Sequence, residues 1–168
     1  MIIVCPLHRA ASLLQQHGAR RAISLLAPGT EFPQFRSLAA DDHLKLTFHD
    51  IVQTMDGHVP PTSADAERLV GFLGSWDSAS PLLIHCWAGI SRSTAAAFTA
   101  LCMKRPGEDE TSLAWELRSA APSATPNRLI VSLVDDLLDR KGRMVGAIAA
   151  IGRGEDAFEG TPFTLQAS

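Results

Sequence analysis

Nowhere in this chain do lysine and arginine crowd together, and the formal net charge is −3. Nucleic acid would meet no attracting field, so a phosphate-bearing partner has to be held by local geometry instead. No run approaches the ~18 consecutive apolar residues that a membrane-spanning helix requires. No CxxC pair and no His/Cys cluster occurs, which removes the usual zinc arrangements. The three cysteines, Cys5, Cys86 and Cys102, are odd in number and irregular in spacing. A disulfide framework is therefore not expected, and a reducing cytoplasm suits the chain. Long charge runs and low-complexity tracts are absent, so disorder is not indicated. The opening MIIVCPLH is apolar for only a few residues and has no basic leader. It reads as a buried edge of the fold rather than a signal peptide.

What is present is an ordinary globular composition, 46% apolar and 20% charged over 168 residues, enough for one domain with a single sizeable core. Strands are predicted at 2–4, 22–26 and 44–48, the last from alternation of apolar and polar residues. A helix near 8–17 ends at Gly18, and Pro28 and Gly29 close the second strand. IVQTMDGHVPPT is a loop, after which Thr62 and Asp65 form a capping box. Ala66, Leu69, Val70 and Leu73 then make a helical stripe. PLLIHC reads as a central, fully buried strand. Helices follow over 91–104, near 110–120 and from Asn127 onward, and Gly142 kinks or ends the last before a stretch from Met144 to Ile151. Strands alternating with helices, then helices alone, predict an α/β fold: a single-domain three-layer sandwich with a short central sheet flanked by helices. The domain is expected over 1–151, with 152–168 as a polar, poorly ordered tail.

The chemistry concentrates in HCWAGISRST, residues 85–94, where the buried strand ends and a helix begins. The turn and the first helical residues have N–H groups without intrahelical partners, and the helix end carries roughly half a positive charge. Such a turn binds anions. Gly89 lets the backbone curl, and Arg92, at the helix start, offers a planar fork for two phosphate oxygens. Cys86 lies at the focus of these dipoles, a setting that favours thiolate and makes the sulfur nucleophilic. Ser93 is positioned to donate a hydrogen bond to that sulfur, and His85 to hold the loop from beneath. Cysteine alone is more often buried and inert; Cys102, at helical spacing after Ala95 and Phe98, reads as core.

His85, Cys86, Gly89, Arg92 and Ser93 together resemble the HCx5R(S/T) signature of the cysteine-based protein tyrosine phosphatase superfamily. PSATPN, residues 122–127, resembles a stretch that precedes the last helix in its dual-specificity branch, and the likeness spans about residues 40–140. The resemblance implies a phosphocysteine intermediate on Cys86 and a phosphate cradle formed by Trp87, Ala88, Gly89, Ile90, Ser91 and Arg92. It implies neither metal nor cofactor. It also implies an aspartate acid upstream, for which Asp50 and Asp56 are candidates. Asp50 is favoured because it follows a strand, whereas Asp56 sits beside Gly57 in mid-loop. His49 and His58 lie near the same loop.

The variable loop positions Trp87, Ala88, Ile90 and Ser91 carry no Lys or Arg, which argues for a substrate with a single phosphate. The implied partner is a phosphorylated protein or a small aryl phosphate, with neither nucleic acid nor membrane. Trp87 and Ile90 either line an apolar rim suited to an aromatic ring or, for Trp87, pack against the fold. Phosphotyrosine against phosphoserine or phosphothreonine depends on pocket depth. A phosphate-binding module without turnover is the alternative function, and a rhodanese-like sulfurtransferase the third.

Overall fold

Two continuous apolar runs become β1 (Ile2–Pro6) and β4 (Leu82–Cys86), buried on both faces in the computed structural model, which describes residues Met1–Ser168. Both-face burial is what a parallel strand between helical layers requires. β2 (Arg21–Leu26) pairs with β4, and β3 (His43–Thr47) lies outside β2 with only Leu44 and Leu46 buried. The sheet order is β3-β2-β4-β1-β5, in which β5 (Phe163–Leu165) runs antiparallel to β1 and the other pairs are parallel.

Alternate strand residues serve two cores. Ile3, Cys5, Ala22 and Leu83 pack beneath α1 (Leu7–Gln16), and Ile2, Val4, Ile23 and Ile84 join the larger core on the opposite face. That larger core collects α2 (Ser63–Gly74), α3 (Arg92–Lys104), α4 (Glu110–Ala120), α5 (Arg128–Leu137) and α6 (Arg143–Ile151). The sheet with helices on both faces is the expected α/β sandwich. Alanines at 95, 96, 97 and 100 explain how α3 can be buried nearly all round, since small side chains let neighbouring elements approach its backbone. The Thr62–Asp65 capping box forms as the sequence implies, with Thr62 N–H on Asp65 Oδ2 at 2.9 Å and Asp65 N–H on Thr62 Oγ1 at 3.4 Å. No helix is long and apolar enough to cross a membrane.

The segment after Ile151 packs against the domain. Residues 152–168 return across the sheet edge, β5 pairs with Ile2, Ile3 and Val4, and Leu165 and Ala167 enter the main core. Arg118 fixes the start of this return by donating to the carbonyls of Ile151 and Gly152, both at 2.8 Å. A strand of three residues, coming straight after Gly160, Thr161 and Pro162, leaves too short an alternation to read from sequence. Because Leu165 is only 3% exposed, Leu165→Ala should destabilise the protein by about 2–5 kcal/mol in urea unfolding. A change near zero would mean that the segment does not pack.

Candidate active site

The loop after β4 leaves the carboxyl edge of the parallel strands, where open α/β sheets hold their ligands. Its carbonyls are held outward by donors from several parts of the chain. Leu7 N–H, opening α1, donates to Trp87 O at 3.1 Å, and Gly160 N–H to Ala88 O at 2.8 Å. Thr125 N–H reaches Ile90 O at 2.9 Å, and Asn127 N–H reaches Ser91 O at 3.2 Å. His85 Nδ1 lies 3.4 Å from Cys86 O. In a trans peptide the N–H points opposite to the C=O, so each carbonyl turned outward turns the next amide inward. The amides of Trp87, Ala88, Ile90 and Ser91 donate to no protein group, and Gly89 N–H donates to Cys86 Sγ at 3.2 Å. Gly89 has φ +73°, and a Cβ there would lie 2.8 Å from Cys5 C and Pro6 N, so only glycine fits over the end of β1.

Cys86 is 2% exposed and its sulfur lies 3.1 Å from Ser93 Oγ. Arg92, also buried, donates Nη1 to Phe48 O at 3.0 Å, while its buried Nε has no protein acceptor. Unpaired amides in a loop that opens a helix are an arrangement suited to an oxyanion. An anion held by this loop would meet several of its free amides at once.

Asp50, exposed just past β3, comes to the loop. Its Oδ1 accepts from Ser91 Oγ and from Asn127 Nδ2, each at 2.8 Å. Asp56 makes no hydrogen bond to the loop; its carbonyl lies 3.0 Å from His58 Nδ1. His49 accepts from Val59 N–H at 2.9 Å, and its ring meets that of His58 edge-on at 4.8 Å, so both histidines close the 50–59 loop. Trp87 is 58% exposed, so it lies at the rim rather than packed into the fold. Ile90, Ala88 and Ser91 are half-buried. Burial pushes the thiols of Cys5 and Cys102 up to about 12.

Three contributions escaped the sequence reading. Asn127 caps α5, with Oδ1 accepting from Leu129 N–H and Ile130 N–H at 3.1 Å, while its amide holds Asp50 and Ile51 O. The PSATPN segment was a signal for this residue, although not for its contacts. The second is Gly160, which no local pattern marks. The third is a buried polar chain under the loop: His43 Nε2 lies 2.7 Å from Ser24 Oγ, which lies 2.6 Å from His85 Nε2. A carbonyl only accepts, so Cys86 O assigns the proton of His85 to Nδ1. His85 Nε2 then accepts from Ser24 O–H, and Ser24 accepts from His43 Nε2–H.

No protein-family model and no curated protein sequence matches the chain. Solved structures do. A human tyrosine phosphatase-like serine/threonine/tyrosine-interacting protein is 22% identical with TM-score 0.64, over 83% of this chain and 92% of that one. The Yvh1 phosphatase domain from Chaetomium thermophilum is 19% identical with TM-score 0.61, over 85% and 93%. DUSP15 is 18% identical with TM-score 0.63, over 89% and 90%. The chain has the tyrosine-phosphatase-like fold. At these identities the likeness extends to architecture alone.

The histidine chain has a consequence for stability. Burial, reinforced at His43 by Lys45, pushes His43 down to about 4. His85 is also pushed down to about 4, again by burial first; the hydrogen bond to Cys86 opposes this, and His43 and Arg92 add to it. Unfolding lets both return to the ordinary 6.5, so below that pH the unfolded chain binds protons that the folded chain does not. The stability they contribute is complete above pH 6.5 and lost as pH falls towards 4. Urea unfolding across that window should show a slope that approaches about two protons from this pair. His43→Gln should remove roughly half of it. Stability that stays flat through the upper half of the window would contradict a neutral buried pair.

Proposed function

We propose that the chain is a cysteine-dependent phosphatase that hydrolyses phosphate monoesters, with phosphotyrosine in proteins as the main substrate and phosphoserine or phosphothreonine as further ones. The observation that carries this reading is the loop itself: the amides of 87, 88, 90 and 91 donate to no protein group, Gly89 N–H and Ser93 Oγ meet one buried sulfur at 3.2 and 3.1 Å, and Asp50 is tied to the loop at 2.8 Å. The fold shared with structures named as phosphatases agrees with it.

In the first step Cys86 thiolate attacks phosphorus, an S–P bond forms and the ester P–O bond breaks. Asp50, entering as the acid, gives its proton to the leaving oxygen. The loop amides and the Arg92 fork hold the non-bridging oxygens as charge spreads over them. In the second step Asp50 carboxylate takes a proton from water, the water oxygen attacks phosphorus and the S–P bond breaks. Ser93, at 3.1 Å, donates to the departing thiolate. Ser91 and Asn127 hold Asp50 at the loop, which supports it over Asp56 as the acid.

Trp87, exposed and next to Cys86, is suited to lie along an aromatic ring of the substrate, and variable loop positions 87, 88, 90 and 91 without Lys or Arg suit a single phosphate. The substrate is therefore a phosphorylated protein or an aryl phosphate, and a reducing cytoplasm keeps Cys86 active. Sulfur transfer ranks below hydrolysis, because it leaves the tethered Asp50 without a leaving oxygen to protonate.

Para-nitrophenyl phosphate turnover should persist in excess EDTA and disappear in Cys86→Ser. Asp50→Asn should slow hydrolysis of a phosphotyrosine peptide by about 10²–10⁴-fold, the usual worth of a general acid, while Asp56→Asn changes it little. Clean, reduced wild-type protein that binds phosphate without turnover would instead make it a binding module, and thiosulfate turnover would make it a sulfurtransferase.

A further inference from the structure

The returning segment after α6 touches the catalytic loop at one point. Gly160 N–H donates to Ala88 O at 2.8 Å, and the same peptide unit presents Gly89 N–H to Cys86 Sγ at 3.2 Å. A hydrogen bond on a carbonyl polarises its amide and strengthens the N–H opposite, so the two contacts reinforce each other across one rigid plane. We propose that residues 152–162 are a strap that positions the catalytic loop, with Gly160 orienting the Ala88–Gly89 peptide so that its N–H is aimed at the Cys86 sulfur. The proposal rests on the phosphatase reading for its effect on turnover, although not for its effect on the thiol.

The strap is held at both ends. Near its start Gly154 N–H donates to Thr125 Oγ1 at 3.0 Å and Glu155 N–H to Pro122 O at 2.9 Å. Both acceptors belong to the 122–127 segment, in which Thr125 also pins Ile90 O. Beyond Gly160, β5 locks to β1, the strand whose end lies under Gly89. The point of contact admits no side chain: a Cβ on Gly160 would sit 2.9 Å from Gly89 O and 3.5 Å from Ile90 Cγ1. The first neighbour is backbone and cannot swing aside, so the loop or the strap has to move. Gly160 touches neither the sulfur nor the substrate. It is a positioning residue, acting through the peptide that does touch the sulfur.

Gly160→Ala should remain folded and lower turnover of aryl phosphate by about tenfold, in keeping with the sensitivity of reaction rates to sub-ångström placement. Alkylation of Cys86 by iodoacetamide should slow in parallel, since the displaced Gly89 amide no longer donates to the sulfur. Glu159→Gln removes only the exposed 3.4 Å tie to His8 on the same strap and should leave both rates unchanged. A folded Gly160→Ala with wild-type alkylation and turnover would overturn the proposal. If wild type itself does not turn over aryl phosphate, the phosphatase reading fails, and alkylation alone decides the strap. Should Gly160→Ala fail to fold, hydrogen exchange of the Gly160 amide in wild type decides instead: it should slow when orthovanadate binds, and an unchanged rate with vanadate bound would overturn the proposal.

Discussion

The site depends on one constraint: the carbonyls of the loop after β4 are turned outward and held there. Backbone amides are obligatory donors, and burying them unpaired is costly, so a chain left to itself would curl to satisfy them internally. Here α1, the 122–127 segment and the strap at Gly160 hold the opposite ends of those peptides. The inward amides are the consequence, and so are the central position of β4 and the glycine at 89 over the end of β1. The fold is thus a frame that turns several peptide planes towards one sulfur.

Electrostatics follow the same local logic. With a net charge of −3 the protein supplies no general attraction for a phosphate. On the function proposed above, Arg92, the start of α3 and the unpaired amides would supply it at one point. Beneath them, His85 is kept neutral, joined through Ser24 to His43, and lends its proton to Cys86 O. A neutral donor there fixes the loop without placing another charge under the thiol.

Much of this was legible in the sequence, for reasons that can be named. β1, β4 and α3 carry continuous apolar or alanine-rich patterns, and the capping box at Thr62 is a local device. The loop residues Cys86, Gly89, Arg92 and Ser93 occur within one short stretch whose strand-to-helix setting was readable, and the structure sets Gly89 N–H and Ser93 Oγ against the Cys86 sulfur. What the sequence hid is non-local. Ser24 and His43 sit on strands that pair only in the fold, and a serine in RAISLL gives no sign of meeting two histidines. Asn127 stands where the last helix is expected to begin, while its grip on Asp50 joins residues 77 positions apart. Gly160 looks like a turn glycine in a polar tail, and its contact with Ala88 exists only because three residues of β5 bring the segment back. That Asp50 and not Asp56 meets Ser91 and Asn127 is equally a matter of which way a loop folds.

The central claim is that these inward amides are built to hold the oxygens of a phosphate. The most direct test is to follow the backbone amide resonances while inorganic phosphate is titrated into the reduced protein. Trp87, Ala88, Ile90, Ser91 and Arg92 amides should shift together with a single dissociation constant, while those of the 50–59 loop tip respond weakly. Phosphate that leaves the loop amides unmoved, or that moves only surface amides elsewhere, would contradict the account.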